Sequence, residues 1–395
     1  MHRVPREELQ RHMAAFLAQM DARCPDWQAA LVTSRVNQYY LTGCMQDGLL
    51  VIRRGEQPVF FVRRSLERAR EESFFEPILP MESYRDAAAA APLGAQAVHM
   101  EVETTPLAMA QRLQKAFGFA QALPMDAALS YARAVKTPYE RELLERSGAI
   151  HRRVMVERVP ALLREGISEA DLAMAIYTEL VDAGHHGVSR FGMFGAEFAV
   201  GQLAFGEHSL AGTSFNGPGG SVGLTTAAPV LGSRERRLRR GDLVFIDVGC
   251  GVEGYHTDCT MTYVFGGKPP RQAVQADAAC AAIEEQVARM LRPGHTPEGI
   301  YRAVMSGLDE DFQRDFMGFG ARRVKFLGHG VGLLIDELPV LAEGFREPIL
   351  AGMAFAVEPK KGIAGFGMVG RENTFLVGKD ETRCLTGLSE TLIVV

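Results

Sequence analysis

The sequence predicts two domains: an α/β domain over residues 1–132 and an α+β domain over residues 133–395. Three observations carry this. Residues 1–130 alternate short apolar strands with helices. A helix-start signature at Thr137-Pro138 marks a break. Beyond about residue 190, helices give way to long apolar strands that carry single acidic residues and pair as hairpins. The length agrees, since 395 residues at roughly 150 per domain makes two or three domains.

In the first domain a polar helix from Arg6 to about Ala22 leads to a strand at Ala29–Thr33. Leu49–Ile52 and Val59–Val62 form a hairpin with Gly55 in its turn. A third strand, Ala97–Glu101, precedes a helix from about Pro106 to Phe117, and this alternation favours a mixed or parallel sheet covered by helices. The second domain opens on Arg133-Ala-Val-Lys-Thr-Pro-Tyr-Glu, where Pro138 suits the first helical position and Thr137 the cap. That helix is expected to run to about Val159. Ser168 caps the next one, and Gly217-Pro-Gly-Gly-Ser-Val-Gly reads as loop without the lysine of a phosphate-binding loop.

Composition excludes several classes. Apolar residues make up 47% and charged ones 23%, which rules out a disordered chain. The net charge of −5 argues against a nucleic-acid partner. The opening Met-His-Arg-Val-Pro-Arg-Glu-Glu has no apolar run for a signal peptide, and no segment approaches the ~18 apolar residues of a membrane span. Cys24, Cys44, Cys250, Cys259, Cys280 and Cys384 are dispersed, as reduced thiols of a cytoplasmic protein would be.

Gly249-Cys-Gly-Val-Glu-Gly254 matches the dinucleotide-binding fingerprint and follows the strand Leu243–Val248. That motif needs a helix next, whose N-terminus holds the pyrophosphate. Tyr255-His-Thr-Asp-Cys-Thr-Met-Thr-Tyr-Val-Phe is instead rich in β-branched and aromatic residues and reads as a strand, so the glycines mark a β-turn. With Val252-Glu253 at the turn centre, Asp247 faces Asp258 and Gly249 faces His256. Directly opposed side chains lie about 5 Å apart on one face. Two carboxylates so placed in an apolar run require a shared proton or a cation between them. The pattern recurs in Met353-Ala-Phe-Ala-Val-Glu358 and Met368-Val-Gly-Arg-Glu372, whose midpoint is residue 365, with His329 in a glycine-flanked segment between the hairpins. Four carboxylates and an imidazole suit two divalent ions, Mn2+ first and Co2+, Fe2+ or Zn2+ as alternatives.

The series Asp247, Asp258, His329, Glu358, Glu372 resembles the five-ligand set of the pita-bread metallopeptidases: prolidase, aminopeptidase P and methionine aminopeptidase. Asn37-Gln-Tyr-Tyr-Leu-Thr-Gly43 resembles the N-terminal domain of creatinase and prolidase. Lys136-Thr-Pro-Tyr-Glu, Gly241-Asp-Leu-Val-Phe-Ile-Asp247, Gly328-His329-Gly-Val-Gly-Leu and Gly352-Met-Ala-Phe-Ala-Val-Glu358-Pro resemble parts of the catalytic domain. The resemblance implies a creatinase-type N-terminal domain, a pita-bread catalytic domain and a homodimer. It also implies a dinuclear hydrolase of the Xaa-Pro peptidase class acting on a small peptide. In that scheme Asp247 chelates one metal, Asp258 and Glu372 bridge both, and His329 and Glu358 bind the other. A bridging hydroxide attacks the amide carbonyl, and His329 and Glu358 serve catalysis, Glu358 by handling the proton of the water.

The sequence also departs from the family pattern. A histidine expected after the Gly-His-Gly motif is replaced in Ile335-Asp336-Glu337, and another has no counterpart in Ala228-Pro-Val-Leu-Gly232. The arginine two before the last glutamate is Gly370, with Arg371 shifted by one. His208, His256, Asp336 and Arg371 are therefore the candidate substrate-binding residues. The alternative substrates are small non-peptide molecules of the kinds used by creatinase, ectoine hydrolase or dimethylsulfoniopropionate lyase. A non-catalytic binding module is the third reading, and the intact five-residue set argues against it.

Overall fold

Ala29–Val32 (β1) is four consecutive buried apolar residues, which places it inside a sheet rather than at its edge. In the computed structural model, which describes residues 3–387 and 392–395, the chain divides into two units, Met1–Arg133 and Ala134–Val395. In the first unit β1 sits in a mixed six-stranded sheet with Gly48–Arg53 (β2), Val59–Val62 (β3), Ile78–Pro80 (β4), Ala97–Met100 (β5) and Gln121–Pro124 (β6), ordered β4-β3-β2-β1-β5-β6. The β2–β3 pair is the expected hairpin, with Gly55 at φ +77° in its turn. Its core joins Leu31, Val51, Phe61, Val98 and Leu113. Strands β1 and β5 stop one residue short of expectation. The buried Glu101 carboxylate turns back to accept hydrogen bonds from the Thr33 and Ser34 N–H groups and the Asn37 amide, which ends both ladders.

The second unit begins with the helix Pro138–Arg153. The Thr137 hydroxyl accepts from the Glu140 N–H and the Glu140 carboxylate accepts from the Thr137 N–H. This helix does not run unbroken to Val159. A π-turn at Val154–Arg158 intervenes before Val159–Leu162. Pro160 has no N–H to donate and its ring crowds the preceding turn, which widens there. Ser168 caps Glu169–Asp182 by accepting from the Asp171 N–H. Residues 211–242 contain no helix or named strand, in line with the glycine-rich loop reading.

The remaining strands make two principal, mostly antiparallel sheets. Gly201–Phe205 (β7), Leu243–Val252 (β8) and Tyr255–Val264 (β9) lie side by side. Gly318–Phe319 (β10) and Arg322–Arg323 (β11) form a small pair. Phe326–Gly330 (β12), Glu337–Ala342 (β13) and Ala354–Val357 (β14) belong to the second sheet. Lys360–Ile363 (β15) and Gly367–Gly370 (β16) form a separate hairpin between β14 and the next strand of that sheet. Asn373–Val377 (β17) and Thr382–Cys384 (β18) complete the second sheet, ordered β13-β12-β14-β17-β18. Ile393–Val394 (β19) joins β9 at the edge of the first. Each sheet has its own helical backing: Leu172, Ile176 and Leu180 pack against Phe205, Val244 and Tyr263. Ile283, Val287, Ile300 and Val304 pack against Leu327, Phe355 and Val357. The first unit is thus α/β and the second α+β, as the sequence predicts. The six cysteines are all free thiols.

The strand reading of Tyr255–Val264 holds, but the register of its hairpin differs from expectation. The two-residue turn is Glu253-Gly254, with φ +50° and +95°, and Val252 pairs with Tyr255. Turns of this type need positive φ at both central residues. Glycine meets that demand at the second position, whereas the expected Val252-Glu253 centre would have forced it on a β-branched residue. Asp247 consequently faces Thr260 and Asp258 faces Gly249, so the two acids are diagonal neighbours on one face rather than directly opposed. His256 faces Gly251.

Candidate metal centre

Backbone pairing brings five sequence-predicted residues together. Thr260 and Glu372 form a bridge, donating N–H to each other's carbonyl at 3.2 and 3.1 Å, and so join β9 to the start of β17. The Thr374 hydroxyl accepts from the Asp258 N–H at 2.9 Å and fixes Asp258 beside it. The pairs Val357–Asn373 and Lys360–Gly370 set Glu358 across from Glu372 between them, which the midpoint at residue 365 anticipated. His329 pairs with Ala356 on β14, and its Nε2 lies 3.6 Å from Glu358 Oε1 and 3.8 Å from Glu372 Oε1.

Asp258, His329 and Glu372 each present a ligand atom, and these atoms lie within 4.8 Å of one another. Glu372 Oε1 is buried and has no hydrogen-bond partner, an arrangement that costs energy unless a cation or donor joins it. Oxygen donors with one imidazole suit a hard or borderline divalent ion, so these residues fit the metal that the family resemblance implies.

Lys360 was not among the expected site residues, yet its side chain enters the cluster. It is fully buried, and its Nζ donates to Glu372 Oε2 at 2.8 Å, Glu358 Oε2 at 2.9 Å and Asp247 Oδ2 at 3.0 Å. Burial opposes the ammonium charge, but Asp247, Glu358 and Glu372 outweigh it and hold the Lys360 pKa well above the ordinary lysine value. Burial pushes the Asp247, Asp258 and Glu372 carboxyls up, and their mutual repulsion adds to the effect. For His329, burial disfavours the imidazolium, yet Glu358 and Glu372 reverse that and raise its pKa. The sequence carried a signal for Lys360: it lies two positions after Glu358, the spacing that returns a side chain to the same face of an extended chain.

Above the cluster is a cavity of about 210 Å³ whose floor includes Asp247, Asp258, His329, Glu358 and Glu372. Phe191, Phe198 and Phe215 form one wall, with ring centroids 4.7 to 5.2 Å apart. Gly249 contributes bare backbone, because a side chain there would meet Ile335 Cδ1 at 2.4 Å. Gln202, opposite Asp247 on β7, lines the cavity with both polar atoms of its amide buried and without partners. Sequence reasoning missed Gln202, since its placement depends on the β7–β8 register, which no local pattern encodes.

The four candidate substrate residues are placed differently. Asp336 lines the cavity and accepts from the Met193 N–H at 3.0 Å and from the Gly192 N–H, and burial raises its pKa. His208, His256 and Arg371 are not among the lining residues. His208 pairs with Glu169 at 3.1 Å. The His256 ring lies against the Gly332 and Val188 carbonyls, because the corrected register sets it opposite Gly251, past the cavity end of the hairpin. Arg371 points to Asp277 at 3.3 Å, on the reverse of the strand that presents Glu372.

Two sheets meet at a buried cluster of carboxylates and one imidazole, a donor set that suits a divalent metal. The chain belongs to metallopeptidase family M24, whose profile matches residues 142–379, and the creatinase/prolidase N-terminal domain profile matches residues 13–135. It is thus a metallopeptidase-type hydrolase. It is 30% identical over 284 residues to the "Probable dipeptidase PepE" of Mycobacterium bovis, covering 72% of this chain and 66% of that protein. It is 24% identical to an Xaa-Pro dipeptidase of Pyrococcus horikoshii, over 92% of this chain and 94% of that one. The structure of dipeptidase PepE from Mycobacterium ulcerans superposes with a TM-score of 0.78 at 25% identity, covering both chains fully. Among the described residues, no helix is long and apolar enough to cross a membrane.

Proposed function

We propose that this chain hydrolyses the amide bond of small dipeptides, Xaa-Pro dipeptides first, with a divalent metal held by Asp258, His329 and Glu372. The observation that carries this reading is the convergence of those three ligand atoms on the floor of the cavity. The cavity, at about 210 Å³, is below the about 300–1,000 Å³ typical of sites for larger ligands, which favours a dipeptide over a long peptide. The relatives named as dipeptidases support the same substrate class. Mn2+, Co2+, Fe2+ and Zn2+ all suit this donor set, and Mn2+ is the ion proposed.

When bound, the divalent ion supplies Lewis acidity toward the scissile carbonyl and acidifies a water molecule. Glu358 reaches the cavity floor and receives the proton lost by the attacking water, while Lys360 fixes its other oxygen at 2.9 Å. The Gln202 amide, with no protein partner, donates to and accepts from the substrate backbone. Phe191, Phe198 and Phe215 exclude water and pack against the apolar part of the substrate. Asp336 offers a carboxylate to a substrate cation such as a free α-amine. The two-ion stoichiometry expected from the resemblance is not carried into this reading, because Lys360 occupies three of the carboxylate oxygens.

One feature favours a second reading, a small non-peptide amide. Among the described lining residues there is no lysine or arginine to meet the C-terminal carboxylate of a dipeptide, and His329 is the sole histidine. The experiment is a panel of Xaa-Pro dipeptides, other dipeptides and small cationic amides incubated with Mn2+-loaded protein. Release of free amino acid from dipeptides is the expected result. Turnover confined to the non-peptide amides would replace the first reading with the second.

A further inference from the structure

We infer that Lys360 is a built-in cation that takes the place of one of two metal ions, leaving the centre with room for a single divalent ion. The inference rests on the metal-dependent reading above and specifies its stoichiometry.

The geometry is restrictive. Lys360 Nζ has three N–H donors, and each meets a carboxylate oxygen of a different residue at 2.8 to 3.0 Å: Glu372, Glu358 and Asp247. A divalent ion bound to the same three oxygens at about 2.0–2.2 Å would lie inside the triangle that Nζ already fills. The two cations exclude each other. The ammonium cannot swing clear without disturbing the fold, since the side chain is fully buried, passes the Phe245 ring at 5.8 Å from its centroid, and springs from the paired strand β15.

Charge points the same way. Asp247, Asp258, Glu358 and Glu372 bring four negative charges into a buried space, and Lys360 returns one positive. One divalent ion would leave a residue of one negative charge; two would overshoot to one positive. The remaining ligand set does not draw on the oxygens that Lys360 holds. Asp258, His329 and Glu372 converge, and Glu372 offers the ion its unpartnered Oε1 while Lys360 holds its Oε2.

The test is to strip the full-length protein with a chelator, dialyse it against excess Mn2+, and count bound metal by elemental analysis and by the electron paramagnetic resonance spectrum. Wild type is expected to bind one equivalent with the six-line spectrum of an isolated Mn2+, and Lys360→Ala to bind two with a spin-coupled spectrum. Two equivalents in wild type would overturn the inference while leaving metal-dependent hydrolysis intact. No metal in wild type would overturn both. If Lys360→Ala fails to fold, Lys360→Ser, which also clears the position of the ammonium, replaces it and is expected to bind two equivalents. A single equivalent in wild type and in both variants would also overturn the inference, because Lys360 would then not be what excludes the second ion.

Discussion

Gln202 and His151 show how the same physical fact, a buried polar atom without a partner, has different consequences in different surroundings. Gln202 faces the cavity, so its orphaned amide is available to substrate. Gln202→Leu, of similar volume, is expected to lower kcat/KM about tenfold, a loss of about 1.4 kcal/mol of transition-state stabilisation, with Mn2+ binding unchanged. Steady-state kinetics beside a metal count checks both halves. His151 sits in the interior against Thr257, and burial, aided by His185, pushes its pKa down to about 3. The unfolded chain therefore binds a proton near the ordinary histidine pKa that the fold refuses. Its contribution is present above about pH 6.5 and is lost as pH falls toward 3, by about 1.4 kcal/mol per pH unit. Denaturant unfolding of wild type and His151→Gln should show the difference between them shrinking across that window.

At the scale of elements, the β8–β9 hairpin separates what is legible in a sequence from what is not. The alternation of apolar and β-branched residues specified two strands and refuted the dinucleotide motif, and it placed Asp247 and Asp258 on a common face. The register escaped, because parity survives a two-residue shift of the partner strand while the facing residues change. Only the positive φ demanded at Glu253 and Gly254 decides it. Gly254→Ala, forced to φ +95°, is expected to destabilise the unit by about 1–2 kcal/mol and to lower its melting temperature without altering the ligand residues. A calorimetric scan measures this. The second hairpin was placed correctly from its midpoint because the symmetry of β14–β17 and β15–β16 is uninterrupted from Lys360–Gly370 to Val357–Asn373. His208, His256 and Arg371 were misplaced for a different reason. A polar residue near a ligand in sequence can lie on the reverse face or past the end of the strand, and its partners, Glu169, Gly332 and Asp277, come from distant segments.

For the whole molecule, metal binding and folding are linked, since four mutually repelling carboxylates from β8, β9 and the ends of β14 and β17 gather around His329 of β12. An ion that binds the folded chain alone stabilises it by about 2.7 kcal/mol at a concentration one hundred times its dissociation constant. The melting temperature of stripped protein is therefore expected to rise with added Mn2+ in wild type and not in Asp258→Asn. The net charge of −5 looks like a property of the surface, but four of the acids lie in the interior around Lys360 and the proposed ion. The sequence revealed those acids through their place in apolar strands. Its signal for the lysine among them, the two-residue spacing from Glu358, is offset by Pro359, because a basic residue after a proline in a turn-rich stretch reads as solvent-exposed. The most direct test of the account is the rate of amino-acid release from an Xaa-Pro dipeptide by chelator-stripped protein as Mn2+ is added back. The account predicts no turnover when stripped, recovery with added Mn2+, and none at any Mn2+ concentration in Asp258→Asn. Undiminished turnover by the stripped protein, or wild-type turnover by Asp258→Asn, would contradict it.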